Sequence, residues 1–324
     1  MHDGVEGMLR EQLTVRRDQL GSALAGTAAR PYLQTLLTQV DEALARMDAG
    51  SFGLCEACHD PIETDRLLAD PLVRLCLDHL TRTEASALER DLELARNVQQ
   101  SLLPSSPYDS VAWRMAYQYR PAGIVSGDFC DVVAGRGGDR YFLLGDAAGK
   151  GVAASMLMTQ MHGMFRALIP TGLPLAQLVE RASGLLCEST LPTHYATLAV
   201  IRAQDDGAVE ICNAGHVPPM MVQRGRVVPL PTGSLPVGMF CDVEFPVTRV
   251  SLEAGDGLVL VTDGITEAEN ASETEFGTDR LCHICAGSAG QRAEHVVAAI
   301  LDEVDRFRSG PMADDATVMV VTRK

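Results

Sequence analysis

The chain has 324 residues, 46% of them hydrophobic and 22% charged, with a formal net charge of −16; this is a globular composition with apolar material for one or two cores. Such acidity excludes a nucleic-acid binder acting through overall charge, since phosphate-backbone binding draws on Lys and Arg. No apolar run reaches the roughly 18–20 residues that spanning a bilayer requires, and the polar, acidic start MHDGVEGMLREQ lacks the basic-then-apolar pattern of an export signal. The expectation is a cytoplasmic protein with no membrane and no nucleic-acid partner.

Residues 8–24 and 31–49 read as two helices; in the second, Leu33, Leu36, Leu37, Val40, Leu44 and Met47 recur at helical spacing. Gly26 and Arg30-Pro31 mark a turn between them, which predicts an antiparallel helical hairpin. Residues 50–82 are Cys-bearing and Pro-interrupted. From Glu84 the helical pattern returns, with Leu88, Leu92, Ala95, Gln99 and Leu102 spaced alternately by four and three until Pro104 stops it. This seam of just over two heptads, interrupted by Gln99, fits either a helix lying on its own domain or the coiled coil of a homodimer. After the loop 104–110, strand-like runs appear at 112–119, 140–145, 195–202, 208–213, 219–223, 257–262 and 316–322. Helix-like stretches lie at 151–168, 174–189, 277–287 and 292–308. Strands in succession through tight turns such as Asp206-Gly207 predict antiparallel sheets with helices packed outside, an α+β fold. The expected organisation is a zinc module over 1–82, a linker helix over 83–104 and a catalytic domain over 105–324.

An odd number of cysteines, nine, unevenly spread in a reducing cytosol, argues against a disulfide framework and for one metal cluster plus buried thiols. Cys55-x2-Cys58 and Cys76-x2-His79 are two close pairs of soft ligands on tight turns, the pattern of tetrahedral zinc. His59 could compete, but the CxxC geometry favours Cys58. Cys282-His283-Ile284-Cys285 sits inside a helical pattern without a second pair and reads as buried thiols. The surrounding segment EALARMDAGSFGLCEACHDPIETDRLLADPLVRLCLDHL resembles a DksA/TraR-type zinc finger, over residues from about 8 to 80. The resemblance implies one structural Zn2+ beside a helical hairpin. The chain departs from it at His79, where cysteine is common. It departs again at the tip Ala25-Gly26-Thr27-Ala28-Ala29, which lacks the acidic residues of members that act inside RNA polymerase. Over 51–82 six acids outweigh three arginines, so a structural or docking module is expected rather than a DNA reader.

Four segments place an aspartate beside glycine or another acid where a strand begins or ends: Gly127-Asp128-Phe129-Cys130-Asp131, Gly145-Asp146-Ala147, Thr262-Asp263-Gly264 and Ala313-Asp314-Asp315. One such aspartate is ordinarily a turn former or helix cap. Four delivered to one end of a sheet repel one another unless cations sit among them, and all-oxygen sites suit Mg2+ or Mn2+. Adjacent glycines leave room for close approach. Gly145 to Gly151 superficially resembles a P-loop. It has three residues between the glycines rather than four, and Gly151 where Ser or Thr should follow Lys150, so nucleotide binding is excluded.

GDFCDV, LLGDAAGKGVAASMLM, ATLAVI, NAGHVPPMMV, GSLPVGM, LVLVTDGITEAE and ADDATVMVV stand in the order seen in the SpoIIE/RsbU-like branch of PPM-type metal-dependent serine/threonine phosphatases. The resemblance runs from about 92 to 322 and includes ELARNVQQSLLP, which looks like that branch's linker helix. It implies an αββα four-layer sandwich with two Mg2+ or Mn2+ ions at one end. Asp146 is expected to bridge both metals and the Ala147 carbonyl to bind one, with Asp128, Asp263 and Asp314 completing the second site. Asp131 and Asp315 are expected to hold waters there, and Cys130 stands where an aromatic residue is frequent. His216, in Asn213-Ala214-Gly215-His216, is expected to serve a structural turn rather than act as a general acid. The implied reaction is hydrolysis of phosphoserine or phosphothreonine by metal-activated water, on an anti-sigma-factor antagonist as protein substrate. The zinc module is expected to gate activity through the linker helix and a homodimer. The competing expectation is a transcription-machinery-binding zinc protein with a vestigial phosphatase domain.

Overall fold

The computed structural model describes residues 3–25, 31–79, 82–190, 194–231 and 233–324. The chain divides into two compact units, Met1–Asp91 and Leu92–Lys324, and no described helix is long and apolar enough to cross a membrane.

In the first unit, α1 (Asp3–Ala25) and α2 (Pro31–Asp48) run antiparallel; Arg10 Nη1 near the start of one reaches Asp48 Oδ1 at the end of the other, 2.6 Å away. Of the expected hairpin tip, Ala25-Gly26-Thr27-Ala28-Ala29, residues 26–29 lie outside the described residues. Leu9 and Leu13 meet Val40, Ala43, Leu44 and Met47, the helical stripe of the sequence, and Phe52, Ile62 and Leu67 close the core. Gly50 ends α2 at φ 69°, a conformation that favours glycine after a helix. A short α3 (Thr64–Ala69) follows. The next helix, α4 (Arg82–Leu102), continues into the second unit. Its Gln99 is buried, while Leu88, Leu94 and Val98 are exposed.

The second unit begins with four strands in succession, β1 (Tyr108–Asp109), β2 (Trp113–Arg120), β3 (Asp128–Ala134) and β4 (Arg140–Ala147), followed by helices α5 (Gly151–Leu168) and α6 (Leu175–Ser189). Strands β5 (Ala196–Ala203), β6 (Ala208–Ala214), β7 (Met220–Gln223), β8 (Arg226–Pro229), β9 (Val247–Ser251) and β10 (Gly257–Val261) come next. Then come α7 (Asp263–Thr266), α8 (Gly277–Gly287), α9 (Ala293–Phe307) and β11 (Ala316–Arg323). The strands form a six-stranded sheet, β1-β2-β11-β10-β7-β8, and a five-stranded sheet, β3-β4-β5-β6-β9, with antiparallel pairing throughout.

Successive side chains of a strand face opposite sides, and the cores follow that rule. Phe142 and Leu144 of β4 enter the layer between the sheets with Trp113, Met115, Leu258 and Met319. Tyr141 and Leu143 of the same strand face α5 and α6, among Met158, Phe165 and Leu178. Val259 and Val261 face α8 and α9, among Leu281, Ile300 and Leu301. The second unit is therefore an αββα sandwich, as expected. β1, β3, β8 and β9 are strands absent from the sequence-based expectation.

One cysteine expectation is corrected. Cys187 at the end of α6 and Cys241 form a disulfide, Cα atoms 5.4 Å apart, where the sequence pointed to thiols. The segment carrying Cys241 is tied to α6 by the Gly238 amide, which donates to Ser183 Oγ at 3.0 Å, while Val237 pairs with Ala196, the residue that begins the next strand. Cys130, Cys212 and Cys285 are buried thiols as expected. The bridge closes a loop of 54 residues, for which chain entropy gives about 4 kcal/mol of stabilisation. Cys241→Ser should lower stability by about that amount in non-reducing denaturant titrations, and dithiothreitol should erase the difference from wild type.

Candidate active site and metal centre

The antiparallel ladders bring four aspartates to one end of the sandwich. Asp128 opens β3 and is the direct cross-strand partner of Asp146 near the end of β4. On the other sheet, β10 ends at Val261 opposite Val318 of β11. Asp263, just after β10, and Asp314, just before β11, therefore leave at that same end.

Asp128 points between the sheets. Its Oδ2 accepts hydrogen bonds from Thr262 Oγ1 at 3.0 Å and Thr317 Oγ1 at 2.5 Å, and the Thr317 amide donates to Thr262 Oγ1 at 2.8 Å. Its other oxygen, Oδ1, is buried without a hydrogen-bond partner. The loop before it is held from both sides. Asp315 accepts from the Ala122 amide at 2.7 Å and the Gly127 amide at 2.8 Å. Buried Gln99 donates to the Ser126 carbonyl at 2.6 Å and accepts from its amide at 3.0 Å. Gln99→Ala would strip Ser126 of both partners, a loss of about 1–3 kcal/mol. Hydrogen exchange should show faster exchange confined to residues 121–127.

Gly127 is tightly enclosed, and a larger residue there would press on its neighbours. A Cβ there would stand 3.0 Å from the Ala147 carbonyl oxygen and 3.2 Å from Asp146 Oδ1, inside the space shared by two expected metal ligands. A Cβ on Gly264 would collide with the Asp315 carbonyl.

Burial, then the charge of Asp146, raises the Asp128 carboxyl far above its usual range. Asp146 itself is pushed up to about 7 by burial and then by the charges of Asp263, Asp314 and Asp315. Asp263 is raised by burial and by Asp314. The Lys150 charge pulls Asp146 and Asp263 the other way; its ammonium lies 2.9 Å from Asp314 Oδ2. An orphaned buried oxygen, carboxyls that resist ionising and an all-oxygen donor set fit a hard divalent cation. The carboxylate oxygens are not all drawn within 4.8 Å of one another; among the described residues the one set of three or more potential ligands that close together is the cysteine–histidine cluster.

The raised carboxyl has a signed consequence. Asp146 holds a proton up to about pH 7 in the folded chain but only to about pH 4 when unfolded. Its contribution to stability is therefore full below about pH 4 and is lost as pH rises towards 7. In excess chelator the melting temperature should fall between pH 5 and 7, and Asp146→Asn should flatten that slope; a flat wild-type profile would sink the assignment.

Asp131 departs from expectation. It stands three residues after Asp128 on the same strand and so faces the opposite way, towards α5. There Arg166 holds it with two hydrogen bonds of 2.8 Å and His162 Nε2 lies 3.4 Å away. It is fully buried, on the face of the strand opposite to Asp128. Asp315 engages both oxygens with amides of the 121–127 loop. His216 is buried, with Nδ1 2.8 Å from Thr197 Oγ1, and it exchanges hydrogen bonds with Asn213. Burial pushes its imidazole down to about 4, which suits a neutral turn residue. Thr262, Thr317, Ser126 and Gln99 escaped the sequence, because only the closed sandwich shows which carboxylate or amide each one serves.

In the first unit, Cys55, Cys58, Cys76 and His79 converge, all four ligand atoms within 4.8 Å of one another. Cys76 Sγ lies 3.1 Å from His79 Nδ1 and 3.8 Å from Cys58 Sγ. The first knuckle closes by the His59 amide donating to the Cys55 carbonyl and the Cys55 amide to the Asp60 carbonyl, both 2.8 Å. Three sulfurs and a ring nitrogen so placed make a zinc site.

Residues 50–78 match the prokaryotic dksA/traR C4-type zinc finger, with His79 standing one residue beyond the match as the fourth ligand. The chain is 26% identical over 268 residues to Protein IcfG of Synechocystis sp., covering 72% of this chain and 41% of that protein. It is 25% identical over 244 residues to Phosphoserine phosphatase RsbU of Bacillus subtilis, covering 73% of this chain and 71% of that one. The crystal structure of the RsbU and RsbW domains of Rv1364c from Mycobacterium tuberculosis superposes with a TM-score of 0.59 at 25% identity, over 68% of this chain and 62% of that chain. The chain thus spans less than two thirds of IcfG and of the Rv1364c chain. Residues 136–324, more than half the sequence and holding three of the four aspartates together with the whole β4–β11 framework, match Stage II sporulation protein E, and the chain belongs to the SpoIIE family.

Proposed function

We propose that the chain is a metal-dependent protein serine/threonine phosphatase of bacterial signalling, working in the cytoplasm. The observation that carries this is the convergence of Asp128, Asp146, Asp263 and Asp314, with Asp128 Oδ1 buried and unpartnered. Asp146 would bridge two Mg2+ or Mn2+ ions, the Ala147 carbonyl would hold one, and Asp128, Asp263 and Asp314 would complete the set. Bound there, the ions would supply Lewis-acid charge for attack of water on a phosphate ester. The chain's own residues do the positioning. Thr262 and Thr317 fix one oxygen of Asp128 and leave the other free to ligate. Asp315 and Gln99 hold the loop that places Asp128.

The substrate class is a phosphoserine or phosphothreonine protein, by analogy with the relative named Phosphoserine phosphatase RsbU; an anti-sigma-factor antagonist is the specific proposal. The proposed modules are the zinc module 1–82, the linker helix 83–104 and the phosphatase domain 105–324. Exposed Leu88, Leu94 and Val98 on α4 support a homodimer through the linker. Purified full-length protein with Mn2+ should release phosphate from a phosphoserine peptide. Absence of turnover, or turnover surviving Asp146→Asn, would overturn the phosphatase assignment in favour of a zinc-bearing binding protein.

A further inference from the structure

Lys150 is a misfit by local rules. It occupies the position just before α5, with extended backbone (φ −133°, ψ 164°) and no capping side-chain hydrogen bond. That position favours Ser, Thr, Asp or Asn, and the positive end of the helix dipole disfavours a cation. A residue that violates both preferences needs a compensating interaction, and the structure supplies one. The ammonium lies 2.9 Å from Asp314 Oδ2 and donates to the Ala313 carbonyl at 2.9 Å. It is the cation that pairs with this acidic end, beside Asp146, Asp263, Asp314 and Asp315.

The attachment is made to be reversible. The Lys150 side chain is 67% exposed and has no other hydrogen-bonding partner among the described residues. Gly149 (φ 99°) and Gly151 (φ 70°) flank it with open space around both. A cavity of about 400 Å³, lined by Lys150, Val152, Ile124, Val125, Asp314 and Asp315 among others, opens alongside. The exposed side chain therefore has room to leave Asp314.

We propose that Lys150 is a positioning residue that competes with the divalent cation for Asp314 and so sets the metal affinity of the site. This rests on the metal-site assignment made above. Oδ1 of Asp314 already accepts from the Asp315 amide at 2.9 Å and Oδ2 faces the ammonium, so a divalent ion arriving at Asp314 meets a positive charge already in place and is favoured by its departure. The displaced ammonium stays tethered within a few ångströms, where like charges repel.

The test is calorimetric titration of Mn2+ into the zinc-loaded full chain, wild type against Lys150→Met and Lys150→Arg, with thermal melts in chelator and in Mn2+. Lys150→Met should bind Mn2+ roughly tenfold more tightly, while Lys150→Arg, which keeps the charge, should stay near wild type. The melts should move in opposite directions, with Lys150→Met less stable than wild type in chelator and more strongly stabilised by Mn2+. A purely structural lysine would not produce that crossing. If wild type binds Mn2+ and Lys150→Met binds it equally or more weakly, the role of Lys150 is overturned while the metal site stands. If neither protein binds Mn2+, the metal site is overturned and the competition with it.

Discussion

Replacing Asp146 by Asn should lower turnover of a phosphoserine peptide by about a thousandfold or more, which corresponds to roughly 4 kcal/mol of transition-state stabilisation. Asp146 is the carboxyl on which the others converge: Asp263, Asp314 and Asp315 all raise it, and it in turn raises Asp128. It is also held between two strands, paired with Asp128 on one side and Thr197 on the other, so the amide should be accommodated without unfolding. Circular dichroism and the chelator melting temperature at pH 5, where Asp146 still holds its proton, should stay close to wild type while Mn2+ binding falls. A variant that keeps both turnover and Mn2+ binding would remove Asp146 from the centre of the site.

Replacing Cys76 by Ser should release zinc and unfold the first unit while leaving the melting of the second unit in place. The core of that unit is small, and Cys55 and Cys76 are themselves members of it, so metal and core form together. Structural zinc sites of this kind contribute on the order of 10 kcal/mol to folding, and a unit this size has little else to replace it. Zinc content by mass spectrometry, together with hydrogen exchange at Val40, Leu44 and Met47, should show loss of metal and loss of protection as one event. Retained protection without zinc would show that the helical hairpin stands alone.

Much of this architecture was legible in the sequence, and the failures share one cause. Apolar runs such as those of β4, β5, β10 and β11 declare themselves because both faces of those strands are buried. β3 does not, since Asp128 and Asp131 interrupt it, and β9 is a half-exposed edge strand of five residues. Had β3 been recognised, its period of two would already have placed Asp131 on the face opposite Asp128. Gln99 looked like a flaw in a heptad seam; in the structure it is the residue that grips Ser126. The disulfide was out of reach because nothing within 54 residues of chain announces that α6 will meet the segment bearing Cys241. The glycine-flanked aspartates and the cysteine pairs were readable because local spacing alone dictates their geometry.

The hydroxyl clasp on Asp128 has a kinetic consequence. Thr262 and Thr317 lie 134 and 189 positions further along the chain than the carboxylate they hold, and Asp315 reaches back 188 to Gly127. Contacts this distant are closed late and slowly, because the entropy of a long loop must be overcome before they form. A nascent chain would therefore complete both sheets' hairpins well before it completed the acidic end. The site would be among the last parts of the molecule to exist, and competence would arrive only when β11, the final strand, has docked.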